Sequence, residues 1–421
     1  MGSFNRVFRN RPFLLLWVGQ TISRLGDVLY YAGMLWLVKE LTHSNTATGL
    51  AGTAMALPQL LGPLAGVFVD RWPRRRILLF TDLIRGGLVL VVPLLHWWGR
   101  LSAGSVIAVV FALSLVGQLF YPAERAMMTE LVEGDDLVQA NSLDNMALSA
   151  TNIFGFLLGG TLIAWIGPVQ LFSLDGLSFF ISALFIVWMG TALARASRGQ
   201  GVGRAAGQVQ GRGGILTEIK EGLLFLWQTP LTRVVIPAAV VINFVFGPAM
   251  VLLPSYATDV LGAGARGFGY LEGALAAGML LGAAAVPVLV RYVPRIWAMG
   301  VGLAAMALAM VGVGLSVHLI PSLLLFGAVG VANAIVNVVF MTLLQAMIPP
   351  QLQGRTFASL MTLVSIFTPI GLGISGILAD RFSVPAVYVA AGLITMVTAL
   401  AVTAPMLRAF PDCPDTSYCL H

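Results

Sequence analysis

Gly66-Val67-Phe68-Val69-Asp70-Arg71-Trp72-Pro73-Arg74-Arg75-Arg76 separates two long apolar runs and sets five charges in seven residues. A short charged loop between apolar runs is a hinge between membrane helices, and its arginines mark the cytoplasmic side. Gly66 is expected to let two helices approach closely, since no side chain would separate their backbones.

The rest of the chain agrees with that reading. Hydrophobic residues make up 58% of the 421 and charged residues 10%, with a mean hydropathy of +0.90. Soluble domains carry about 25% charged residues, so a soluble fold of this length could not cover its surface. The +6 charge follows from a positive-inside bias rather than from nucleic-acid binding. The two cysteines, Cys413 and Cys419, lie in the last nine residues and give the body no disulfide framework. No metal site and no cofactor is expected.

A span needs about 20 mainly apolar residues. That rule places spans near 13–38, 47–69, 77–98, 103–128, 142–166 and 168–192, and then near 232–256, 266–290, 294–317, 320–347, 357–379 and 384–407. The first run is too long for a signal peptide and carries Arg24 and Asp27, so it is read as a retained span. With both termini inside, eighteen of the 24 basic residues fall on the cytoplasmic side; Lys39, Arg100, Arg266 and Arg381 fall outside. The expected organisation is an N-terminal six-helix bundle (1–192), a cytoplasmic linker with an amphipathic helix (193–231), and a C-terminal six-helix bundle with a short cytoplasmic tail (232–421). Residues 195–214 are rich in Gly, Gln and Arg, as flexible linkers are. Ile215, Ile219, Leu223 and Leu226 follow at helical spacing. Gly- and Pro-bearing segments of the first half recur in the second, as in transporters built of internal repeats.

The G-x-x-x-D-R-x-x-R-R loop resembles the signature of the major facilitator superfamily. Phe13 to Gln20 with Leu25-Gly26-Asp27, Leu57-Pro58, Gln139 to Leu143 and Leu252 to Tyr256 resemble the branch of macrolide-efflux proteins, the enterobactin exporter and the lysophospholipid transporter. The resemblance implies an all-α membrane protein of twelve transmembrane helices in two pseudo-symmetric bundles. Gly155, Gly159 and Gly160 of span five are similar to the G-P-x-x-G-G element of the superfamily's antiporters, with Phe156 in place of the proline. Span four lacks the arginine that drug–proton antiporters carry there, so proton coupling does not carry over from that motif.

An ionisable group within a span costs about 2.5–3.5 kcal/mol on insertion scales and calls for a partner or a function. Asp27 leads the candidates, and Arg24 lies three residues earlier on the same face. Three readings stand side by side: a buried Arg24–Asp27 pair, substrate or proton handling at Asp27, or a solvent-exposed position with no part in the mechanism. Asp82 and Arg85 are placed with the loop arginines in a cytoplasmic gate formed by Gly66, Asp70, Arg71, Arg74, Arg75, Arg76, Glu124 and Arg125. The resemblance implies that Asp70 steadies the outward-facing state. Asp144 is expected to cap span five, and Asp175 and Glu272 to be hydrated rim residues. Tyr30, Tyr31 and Trp36 of span one, Asn243 and Phe246 of span seven, and Asn333 and Asn337 of span ten are the candidate cavity lining. The two span-ten asparagines share a face, which suits either lining or bonding between helices.

No nucleophile elbow, zinc-binding helix or nucleotide-gripping loop is present, which removes hydrolases and an ATP-driven pump. The expected protein is no enzyme. It is a monomeric secondary transporter of the inner membrane that works by alternating access, with a small-molecule substrate, membrane lipids around it and protons as one option for coupling. Its cavity, aromatic and sparsely charged, suits export of amphipathic or hydrophobic molecules such as drugs, macrolides or siderophores. Movement of lysophospholipid between leaflets is the alternative within transporters, and a channel the alternative outside them.

Overall fold

The computed structural model describes residues 7–69, 71–132, 134, 136–197, 230–348 and 350–409. Among them every regular element is a helix. Span one is Arg11–Thr42. Span two runs through Asn45–Ala56, a 3-10 turn at Leu57–Leu61 and Gly62–Val69, the turn being set by Pro58. Span three is Arg74–Val89 with Val91–Trp97, span four Ala103–Leu131, span five Asp136–Ile166 and span six Pro168–Ser197. Span seven comprises Pro230–Val251, Leu253–Ser255 and a π turn at Tyr256–Val260. Spans eight to twelve are Gly264–Tyr292, Arg295–Leu315, Leu319–Met347, Pro350–Arg381 and Val384–Ala409. Among the described residues, eight helices, at Arg74–Trp97, Ala103–Leu131, Asp136–Ile166, Pro168–Ala192, Gly264–Tyr292, Arg295–Leu315, Leu319–Gln345 and Val384–Thr403, are long and apolar enough on their own to cross a membrane. The linker beyond Ser197 and the expected amphipathic helix at 215–227 lie outside the described residues, as does the cysteine-bearing tail.

Connections are tight where glycine allows it. Gly167 sits at φ +84°, a conformation other residues rarely adopt, and Pro168 opens the next helix immediately. Span four opens on a capping box: the Ser102 hydroxyl accepts from the Ser105 N–H, and the Ser105 hydroxyl accepts from the Ser102 N–H.

The chain divides into two compact units. One holds Met1–Leu41 and Ala54–Arg212; the other holds Thr42–Thr53 and Gly213–His421. The start of span two is therefore packed as part of the C-terminal unit, where sequence alone assigns all of span two to the first bundle. Small residues explain the placement. A Cβ on Gly49 would lie 2.6 Å from the Leu372 carbonyl oxygen, and one on Gly376 would lie 2.4 Å from that of Asn45. The exposed Asp380 carboxylate then caps the incoming helix: its Oδ1 accepts from the Asn45 N–H at 2.9 Å, and its Oδ2 from the Thr46 N–H at 2.8 Å and the Ser44 hydroxyl at 2.9 Å. Asp380 lies just past the apolar part of span eleven. Partial burial pushes its carboxyl up, but these hydrogen bonds outweigh that and hold it down at about 2.

Within the C-terminal unit, spans eight and ten meet backbone to backbone. A Cβ on Gly278 would stand 2.1 Å from the Gly327 oxygen, and one on Gly330 would stand 2.1 Å from the Leu275 oxygen. Lipid gives helices no hydrophobic reason to associate, so close contact over small residues supplies the attraction. Gly66 does not work this way among the described residues: a Cβ there would meet none of them within 4 Å, so the expected close approach is not seen there. Asp70 lies outside the described residues. The described loop arginines brace the N-terminal unit internally. Arg74 pairs with Glu130, and Arg75 donates to the Ile186 and Val187 carbonyls, each at 3.3 Å.

Candidate functional site

The N-terminal unit encloses a network of ionisable groups within its apolar helices. Span one supplies Arg24 and Asp27 one turn apart, but they do not pair with each other. Arg24 bonds Glu124 of span four at 2.7 Å and Asp144 of span five. Asp27, about 27% exposed, accepts from Arg85 Nη2 of span three at 2.6 Å. The Arg85 guanidinium is buried and lies 4.1 Å above the Phe179 ring and 5.6 Å from that of Phe120. Its Nε donor has no partner among the described residues.

Several expectations are corrected here. The Arg24–Asp27 pair gives way to pairs between helices, because each side chain reaches a neighbouring span more directly than its own turn. Arg85 and Glu124 belong to this buried network rather than to the loop arginines. Asp82 is fully buried, and neither carboxylate oxygen has a partner within hydrogen-bond geometry; Ser182 lies beside it. Asp144 is eight residues into its helix, so it is a ligand of Arg24 and no cap. Asp175 and Glu272, expected at a hydrated rim, are 1% and 3% exposed, each with one oxygen lacking a partner. Arg125 stays exposed.

Glycine shapes the network. A Cβ on Gly26 would stand 2.6 Å from Asp175 Oδ1 and 2.2 Å from Ser178 Oγ, so only a bare backbone lets span six bring its acid against span one. Gly155 and Gly159 of span five meet Val28 and Ala32 of span one, at 2.7 Å and 3.1 Å from the Cβ positions they lack. Gly160 is buried beside them in sequence. Tyr30 packs edge-on against Phe172 with its hydroxyl unpartnered, Tyr31 packs edge-on against Phe156, and Trp36 is half-buried. Asp175, Ser178 and Ser182 recur at three and four residues along span six; that polar stripe was the sequence signal for the part of the network that inspection of single residues missed.

The C-terminal unit holds a cavity of about 140 Å³. Asn243 and Phe246 of span seven and Asn333 and Asn337 of span ten line it, with Met299, Phe340 and Met341. Among the described residues, no lining residue is charged. Asn337 Nδ2 donates within its own helix, to the Asn333 carbonyl at 3.0 Å and to its side-chain oxygen at 3.1 Å. Tyr256 is held elsewhere: its hydroxyl meets the Val313 and Ser316 carbonyls and the Ser322 hydroxyl within 3.0 Å, and its ring stacks edge-on with Tyr388. It anchors the end of span seven.

A model of a family described as transmembrane secretion effectors matches residues 3–417. The chain belongs to this family of major facilitator transporters. It is a multi-pass membrane transporter and no enzyme. It is 29% identical over 412 residues to the multidrug efflux pump Tap of Mycolicibacterium fortuitum, covering 94% of this chain and 96% of that one. It is 24% identical over 405 residues to macrolide efflux protein A of Streptococcus pyogenes, with 94% and 96% covered. Among solved structures, a bacterial homologue of the iron transporter ferroportin, in an inward-facing state, aligns with a TM-score of 0.72 at 17% identity, covering 94% of this transporter and 99% of that chain. That likeness concerns the fold alone.

Proposed function

We propose that this transporter exports lipophilic organic molecules by alternating access, driven by protons. The supporting observation is a division of chemistry: ionisable groups cluster in the N-terminal unit, while the cavity of the C-terminal unit offers amides, aromatic rings and thioethers without a charge. Such a lining suits an uncharged or weakly polar group that needs a few hydrogen bonds. A volume near 140 Å³ holds a ring-sized moiety rather than a whole macrolide, so this cavity grips one part of a larger molecule. The names of Tap and macrolide efflux protein A favour export over uptake.

Asp27 is the gateway of the network, being its partly exposed carboxylate on span one. Arg85 supplies from span three the cation that antiporters place in span four. The remaining parts of the proposal are a monomer in the inner membrane, both termini in the cytoplasm, and a gate at the Asp70 loop.

One observation favours lysophospholipid movement as a second reading. An apolar recess of about 360 Å³ lies among spans seven, eleven and twelve, with Phe244, Leu378, Phe382 and Ile394 in its wall. Its one hydroxyl, Ser375, already donates to Leu372. Purified protein in proteoliposomes, offered labelled macrolide and labelled lysophospholipid in parallel, separates the two readings. Export of the macrolide with no lipid transfer supports the first; lipid transfer alone overturns it.

A further inference from the structure

The described network holds more acid than base. Asp27, Asp82, Asp175, Glu124 and Asp144 face Arg24 and Arg85, and the exposed Arg125 adds its charge at Glu124. Arg24 is bonded to two carboxylates and reaches Asp27 by its charge without a bond, so Arg85 is the arginine that bonds Asp27 and whose charge reaches Asp82 and Asp175. Taking an ionised carboxylate out of water without a partner costs far more than any local hydrogen bond returns. With Arg85 on Asp27, the other two acids are stable when neutral.

Of those two, Asp175 is built for exchange. The groups around it are Asp27 and Tyr30 on span one, Asp82 and Arg85 on span three, and Ser178 on its own helix. Ser178 gives its hydroxyl proton to the Asp175 carbonyl at 2.8 Å and reaches Oδ1 only at 3.4 Å, and Oδ2 has no partner. The backbone of Gly26 opens the niche beside Asp27. Arg85 holds the complementary vacancy: its Nε–H is unused, and its guanidinium already lies over Phe179, one helical turn past Asp175.

Building on the proton-driven reading above, we infer that Asp175 carries the transported proton, and that Arg85 moves between Asp27 and Asp175 as that proton leaves and returns. In the step, an O–H bond forms on Asp175 from a proton of the aqueous side then open, and its charge goes from negative to neutral. When the other side is open the same bond breaks, the proton leaves to water, and Arg85 turns its free donor to the restored carboxylate. No electrons move. The observed geometry, with Arg85 on Asp27, is the proton-loaded state. Asp82, with Ser182 beside it, is not assigned the transported proton.

The test uses the full chain. Asp175→Asn imitates the loaded state permanently. In proteoliposomes with labelled macrolide, it loses accumulation driven by a pH gradient by about tenfold or more, yet exchanges labelled for unlabelled macrolide at equal pH within about twofold of the parent. Asp175→Glu restores part of the accumulation. Independently of substrate, infrared difference spectra between low and high pH show a protonated-carboxyl band in the parent and in Asp27→Asn but none in Asp175→Asn. Accumulation by Asp175→Asn equal to the parent, equal loss of exchange, or a band that disappears with Asp27 or Asp82 instead would each overturn the inference. A parent protein that ignores the pH gradient but exchanges macrolide would instead remove the proton-driven reading on which it rests.

Discussion

Arg85→Met should destabilise the N-terminal unit more than Asp27→Asn, although the two residues form one ion pair. The arginine serves three acids, whereas Asp27 occupies an arginine with two other carboxylates in reach. Removing the cation of a buried pair costs about 3–5 kcal/mol, because the charge left behind is unpaired. For a unit of this size about 2–4 °C accompany each kcal/mol, so melting falls by about 6–20 °C. Asp27→Asn keeps the shape and one hydrogen bond, and Arg85 can turn to Asp175, so the loss is about 1–2 kcal/mol. The double variant should melt above Arg85→Met alone, since it removes the stranded charge of Asp27. Thermal unfolding of the four detergent-solubilised proteins at neutral pH reads all of this. Equal losses from the two single variants, or a shift under about 2 °C for Arg85→Met, would refute the claim that one guanidinium neutralises a shared cluster.

Asp380→Asn should lower the melting temperature at pH 7 by a few degrees, as loss of a helix cap does. The sign with pH is fixed by the carboxyl's low value of about 2 in the folded protein: the stabilisation is whole above about pH 4, where an unfolded Asp is ionised, and fades as pH falls through 2. Melting of parent and variant followed from pH 7 down should therefore draw together only at the acid end, with about half of the difference still present at about pH 3. Gly278→Ala must push aside the Gly327 backbone and should cost about 1–3 kcal/mol, while Gly66→Ala, which meets none of the described residues within 4 Å, should leave melting unchanged. Asn337→Leu keeps the bulk of the cavity lining but removes an amide, and should raise the KM for macrolide transport several-fold with little effect on folding; unchanged kinetics would take the cavity out of the substrate path.

The architecture was readable because its physics is local. Apolar runs of span length, arginines on one side and glycines within the runs each leave a mark on consecutive residues. The site was readable only in part. Asp27 stood out as a charge inside an apolar run, but its partner was not on its own helix, and spacing along one chain cannot say which neighbour a side chain meets. Arg85 and Glu124 were therefore assigned to the loop by proximity in sequence, while packing carries both inward. Asp175 looked like a rim residue because it sits near a span end; the Gly26 backbone across from it decides its burial. Asn243, Asn333 and Asn337 do meet around one cavity, although the sequence left their face open between lining and glue. Nothing in the sequence signalled that span two would divide between two packed units, since that depends on Gly49 and Gly376 finding each other across hundreds of residues.

The most direct measurement is proton movement caused by substrate. Proteoliposomes loaded with a pH-sensitive dye and started at equal pH are given labelled macrolide from outside, and dye and label are followed together. An exchange of proton for substrate predicts that the lumen turns alkaline as the label enters, and that Asp175→Asn takes up label without that change. Macrolide entry with a steady lumenal pH in the parent protein would contradict the account.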